Sequence, residues 1–160
     1  TGSPKLTIAH TLSNRPQPRH QEMLGLCLEV APLAVNIEPG ETFHTLRLKV
    51  MKRILEGMRH MQHIPWNHSD QPVYDVMFNY LNPHFGKFHG MDVEAEWLYP
   101  GHQETSLTLQ VQEFREDDIL RIAFDFRCDA VPAAEREPLI SQFFEVLDNL
   151  LKDSGRNLIL

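Results

Sequence analysis

The chain is poor in cysteine, short of positive charge and without a long apolar run. Its two cysteines, Cys27 and Cys128, do not form a C-x-x-C pair. Both sit in apolar, strand-like segments and read as reduced, buried small hydrophobes, not as a disulfide framework. Lys and Arg number 15 against 22 Asp and Glu, a formal net charge of −7. With no basic run and no basic amphipathic helix, that balance argues against nucleic acid and anionic membrane as partners. No apolar stretch approaches the roughly 18 residues of a membrane span, and the start is not signal-like, so a cytoplasmic protein is expected. There is no G-x-S-x-G elbow, no Cys with a His beside it and no phosphate-cradling glycine pattern. A nucleophile and base assembled through space stay open.

What is present is ordinary globular material. Apolar residues make up 42% and charged residues 23% of 160, enough for a single domain spanning residues 1–160 with a core of its own. The start Thr1-Gly2-Ser3-Pro4, without methionine, suggests a cut-out piece or one product of processing. The 9 histidines invite a metal reading. His60 and His63 straddle a helix end with His68 nearby, and His84 and His89 flank a loop. Zinc needs three or four ligands at defined spacing, and Pro65 prevents a second ligand one turn later. These histidines read as solvated or loop-packing groups, and no metal site is assigned.

Periodicity sets out the elements. Leu6–Leu12 is a strand candidate, followed by a loop from Pro16 to Gln21. Leu24–Ile37 reads as one or two strands at the centre of a sheet, although Pro32 requires an edge, a bulge or a junction. A helix begins after Glu38-Pro39-Gly40, with Thr42 or Glu41 as its N-cap. It places Phe43, Leu46, Val50, Ile54, Met58 and Met61 near one face, which Met51 and Leu55 widen, and Pro65 ends it. Strand candidates follow at Val73–Leu81, Met91–Tyr99, Ser106–Phe114 and Leu120–Arg127. The last two form an antiparallel hairpin across Arg115-Glu116-Asp117-Asp118. Pro132 and Pro138 bracket the start of a final helix with a stripe from Leu139 to Leu151, and Gly155 stops it. The pattern implies an α+β fold with helices on one face of a sheet.

One polar residue stands out. Asn79 lies within Val76-Met77-Phe78-Asn79-Tyr80-Leu81, where apolar neighbours imply burial, and a buried amide must be hydrogen-bonded. It is either a strand residue satisfying backbone groups or a donor and acceptor lining a channel. His63 and Trp66, in Gln62-His63-Ile64-Pro65-Trp66-Asn67, carry the same pair of readings, local packing or substrate contact.

The order of these segments resembles the second half of a condensation domain of nonribosomal peptide synthetases, in the chloramphenicol-acetyltransferase-like superfamily. Thr7-Ile8-Ala9-His10 to Asn14-Arg15-Pro16 stands where the family has a strand ending in a Gly-Arg or Asn-Arg turn. Leu24-Gly25 through Pro32-Leu33 stands at its Gly, then Asn, then Leu-Pro-Leu-Arg segment. Glu38-Pro39-Gly40 with Thr42-Phe43 resembles the lead into its long helix. Met61-Gln62-His63-Ile64-Pro65-Trp66 looks like its His-Gln and Pro-Phe segment, and Asp125-Phe126-Arg127-Cys128-Asp129 resembles its closing strand. By this alignment the family's Asn falls at Glu29 and its Arg at Ala34, which loses a bidentate donor. The family's H-H-x-x-x-D-G motif is absent from the chain.

The resemblance implies half of a chloramphenicol-acetyltransferase-like fold: a mixed, largely antiparallel sheet with helices on one face. It implies the C-terminal lobe of a two-lobed enzyme that joins a carrier-tethered acyl donor to an amine acceptor. Its partners would be the N-terminal lobe, peptidyl or acyl carrier proteins and an adjacent adenylation domain. The lobe binds no cofactor directly; 4'-phosphopantetheine is carried by the partner carrier proteins. Asn79, His63 and Trp66 are the tunnel-side residues, no catalytic residue is assigned, and the piece alone is expected to be inactive. A lobe of a related coenzyme A- or carrier-dependent O- or N-acyltransferase, a non-catalytic carrier-binding module, or an unrelated α+β domain are the alternatives.

Overall fold

The computed structural model describes residues 3–15, 17–60, 73–82, 87–94, 96, 98–99, 101–102, 104–113 and 119–153. Among these residues five strands, β1 (Lys5–Leu12), β2 (Glu29–Asn36), β3 (Val76–Leu81), β4 (Leu107–Gln112) and β5 (Arg121–Phe126), form one sheet in the order β2-β1-β3-β4-β5. The two outer ladders are antiparallel and the two inner ones parallel. Among the described residues three helices accompany them: the single turn α1 (Pro18–Gln21), α2 (Phe43–His60) and α3 (Ala133–Lys152). The mixed α+β sheet expected from the sequence is therefore present, with its parallel pairing at the centre. Parallel neighbours need a crossover, and β2 and α2 lie on the connection from β1 to β3.

Strand alternation and register sort the side chains onto two faces of different character. One face is apolar: Ile8 lies opposite Leu33, Leu109 opposite Phe124 and Leu107 opposite Phe126. Helix α3 packs there, with the Phe143 and Phe144 rings 5.3 and 6.1 Å from Phe124. The Arg136 guanidinium stands 6.0 Å above the Phe126 ring, a cation–π arrangement that anchors the first turns of α3 to the sheet. The other face carries Thr11, Asn79, Thr108, Gln110, Gln112 and Asp125 in the same register.

Helix α2 starts as its sequence suggests. The Thr45 N–H donates to Thr42 Oγ1 at 3.2 Å and the Thr42 N–H to Thr45 Oγ1 at 3.1 Å, a capping box built from two threonines. Glu41 instead turns inward. Its carboxylate accepts from the Glu38 N–H at 3.0 Å and pairs with Lys49 Nζ at 2.8 Å, while Lys49 also donates to the Asn36 carbonyl at 2.7 Å. One buried acid thus ties the end of β2 to the second turn of α2.

Several sequence expectations change in the fold. The strand expected over Leu24–Ile37 begins only at Glu29, and it lies at the sheet's edge instead of its centre. That edge position accommodates Pro32, whose missing N–H removes no central ladder bond. Among the described residues of Met91–Tyr99 there is no strand: Met91 makes one bridge to Phe88, and no described residue beyond it joins a β-ladder. Its alternation of acidic and apolar residues mimics a half-buried strand without a partner edge to complete it. Pro138 lies inside α3, which already starts at Ala133. Cys27 precedes β2 and is half-buried, whereas Cys128 follows β5 in an exposed turn. Neither is the buried strand residue expected, and both thiols are free. No helix among the described residues is long and apolar enough to cross a membrane.

Candidate functional site

The polar face holds a continuous row of side chains across four strands. Thr11 Oγ1 on β1 donates to Asn79 Oδ1 on β3 at 2.7 Å. Asn79 Nδ2 donates to Gln110 Oε1 on β4 at 2.9 Å, and Gln110 Nε2 donates to Asp125 Oδ2 on β5 at 2.9 Å. Every donor points the same way, from hydroxyl to carboxyl group. Asp125 as acceptor sets the orientation of Gln110, and Gln110 sets that of Asn79. Such a chain polarises successively and stiffens the face that bears it. Beside it, the hydroxyls of Thr105 and Thr108 lie 2.9 Å apart. Asn79 is 7% exposed and Gln110 6%, so this polar row is not a solvated surface.

Asn79 is thus buried and hydrogen-bonded, as its apolar neighbours imply, but its partners are side chains two strands apart and not backbone groups. Thr11, Gln110 and Asp125 escape sequence reasoning. In a lone strand, a polar phase such as Thr108-x-Gln110-x-Gln112 reads as the solvent side, and no local signal distinguishes it from a buried one. His63 and Trp66 lie outside the described residues. Ala34, where the resemblance places a family Arg, is exposed and pairs with Thr7; Glu29 opens β2 opposite Leu12.

A cleft of about 330 Å³ opens on the same face, lined by Val30, Tyr74, Met77, His102, Glu104 and Thr105. Met77 precedes Asn79 by two residues on β3, and Val30 lies opposite Thr11, so the cleft adjoins the polar row. Its walls are held by backbone contacts. Asp75 Oδ1 accepts from the Ser106 N–H at 3.0 Å, and Arg127 Nη1 donates to the Glu104 carbonyl at 2.7 Å. The hydrogen bonds from Ser106 hold the Asp75 carboxyl below the usual carboxylate range, partly opposed by burial.

His102 and Glu104 are exposed, and no hydrogen bond or ion pair joins them. Among the described residues no three His, Cys, Asp or Glu side chains converge as a metal would need. The arrangement offers an apolar floor, two threonine hydroxyls and a row of amides, with the His102 imidazole and the Glu104 carboxylate at the cleft.

No family model matches the chain. Its sequence is 23% identical over 150 residues to surfactin synthase subunit 1 of Bacillus subtilis (strain 168), covering 88% of this chain and 4% of that protein. Its fold matches the condensation domain from the Monacolin K polyketide synthase MokA with a TM-score of 0.77 at 14% identity, covering 99% of this chain and 39% of that one. The first condensation domain of the calcium-dependent antibiotic synthetase, solved in complex with a substrate analogue, matches with a TM-score of 0.76 at 15% identity, covering 98% of this chain and 37% of the other. Fold and sequence therefore support the resemblance drawn from the motifs, to a fragment of a nonribosomal peptide synthetase condensation domain. The chain spans under two fifths of the solved domains and a small part of the synthetase it matches.

Proposed function

We propose that this chain is the C-terminal lobe of a condensation domain, providing one wall of a tunnel in which a carrier-tethered acyl group is joined to an amine. The observation that carries this reading is the buried polar row from Thr11 to Asp125, beside a cleft, on the face opposite α3. A phosphopantetheine arm is a flexible chain of amides and apolar segments ending in a thioester. A wall with amide donors and acceptors above an apolar floor complements it. Asn79 uses one lone pair and one hydrogen within the row, so its amide retains one donor and one acceptor for a ligand. His63 and Trp66 are assigned to the same tunnel from their place in the chain, just ahead of β3.

The proton-handling imidazole belongs to the N-terminal lobe in this reading, so the lobe by itself is inactive. Orienting two tethered substrates needs both walls, and most of the rate advantage of proximity is lost with either one. Carrier proteins bring the substrates, and an adenylation domain loads them.

The test is product formation from carrier-tethered donor and acceptor, followed by mass spectrometry. The chain extended by its own upstream sequence should form the amide, and the chain alone should not. Amide formed by the chain alone, or none formed by the extended protein with any loaded carrier pair, would overturn the proposal.

A further inference from the structure

Helix α2 carries a second apolar stripe that the sheet leaves uncovered. Leu48, Met51, Leu55 and Met58 are 46%, 51%, 51% and 50% exposed. Their spacing of three, four and three residues places them in one line, the seam pattern of a coiled coil. Phe43, Leu46, Val50 and Ile54 are more covered and occupy the adjoining sector of the helix. The sequence periodicity alone merges the two stripes.

Three of the five positions bordering the exposed seam are cationic, the other two being Thr45 and Ile54. Arg47 lies on one side, and Lys52 and Arg59 on the other, all exposed. Lys52 has only a loose contact to Glu56, at 4.0 Å. Arg47 and Arg59 make no hydrogen bond or ion pair among the described residues. In a chain of net charge −7, this is a local reversal of sign around a hydrophobic line.

We propose that this face of α2 docks an amphipathic helix of another protein, with apolar seam residues flanked by Asp and Glu. Flanking charges set partner choice in such pairs. Pairing with a second copy through the same face would oppose cation to cation, which disfavours a homodimer. A bilayer is disfavoured by the narrowness of the stripe and by the chain's overall negative charge. The surface lies on a different element from the cleft and does not depend on the tunnel reading.

The test is fluorescence anisotropy with labelled synthetic helices of about three heptads, leucine at the seam, and either glutamate or lysine at the flanks. The protein is expected to bind the glutamate helix roughly tenfold more tightly than the lysine helix, the sum of three surface charge pairs, with the preference shrinking as salt rises. Combining Arg47→Glu, Lys52→Glu and Arg59→Glu inverts that preference. Combining Met51→Ser and Leu55→Ser removes binding of both helices, with circular dichroism checking that the fold persists. Equal binding of the two helices, no binding of either, or a preference that survives charge reversal overturns the proposal. Binding to phosphatidylserine vesicles without helix binding would assign the face to a membrane instead. A sedimenting dimer abolished by Met51→Ser and Leu55→Ser would assign it to a second copy.

Discussion

Asn79 stands directly across from Gln110 in the parallel pair of β3 and β4, and its Nδ2 donates to Gln110 Oε1 at 2.9 Å. Because Gln110 in turn donates to Asp125 and Asn79 accepts from Thr11, this contact is the middle link of a row from β1 to β5. Removing it leaves buried polar atoms on both sides without partners. Asn79→Ala should therefore destabilise the fold by about 1–3 kcal/mol. Urea unfolding of Asn79→Ala, Gln110→Ala and the double variant would show a coupling on the order of 0.5–3 kcal/mol. Strictly additive losses would mean that the two amides act separately.

Stability should depend on pH through His10. It is buried on β1, and burial pushes its pKa below the ordinary value of 6.5, partly opposed by a hydrogen bond with the Thr11 backbone. Well above pH 6.5 neither folded nor unfolded chain holds that proton, and the group contributes nothing. As pH falls through 6.5 the unfolded chain takes up the proton first, so stability drops until the folded pKa is reached. His10→Gln should flatten this slope in denaturation curves taken on either side of pH 6.5. An unchanged slope would acquit His10.

Glu41 titrates in a different window. The hydrogen bond from Lys49 and the Glu38 backbone hold its carboxyl below the ordinary 4.5. A depressed acid stabilises the fold above its unfolded pKa, and that contribution is lost as pH falls through the folded value. Lys49→Met should raise the Glu41 pKa, seen by carboxyl NMR, and lower the unfolding midpoint at neutral pH. The gap between variant and parent should close in acid, where neither chain retains the paired carboxylate.

The turn at Phe88-His89-Gly90-Met91 is closed by reciprocal backbone bonds of 3.0 Å, with φ of 49° at His89 and 82° at Gly90. Both central residues are left-handed, the geometry of a type I′ hairpin, which a β-branched side chain resists by about 1–2 kcal/mol. His89→Val should speed hydrogen exchange at the Phe88 and Met91 amides, and His89→Gly should not.

Much of this architecture is legible residue by residue. The alternation in Leu107–Gln112 and Arg121–Phe126, the Thr42 cap and the apolar stripe of α3 are local patterns, and local sterics and burial turn each into the element it suggests. The false strand at Met91–Tyr99 shows the limit: alternation proposes a strand, but only an available neighbouring edge makes one. The candidate site lies beyond that limit, apart from Asn79. The Thr11–Asn79 bond joins residues 68 apart, and the Gln110–Asp125 bond exists only because β4 and β5 meet in one register.

The order of residues alone determined where helix α2 begins, that β4 and β5 alternate as strands, and that one phase of β4 is polar. Tertiary structure decided that this polar phase is buried, that its amides connect across four strands, and that α2 turns one of its two apolar stripes outward. The physical reason is that periodicity fixes a side chain's direction relative to its own backbone. What it meets in that direction is set by strand order and packing, which no local pattern encodes.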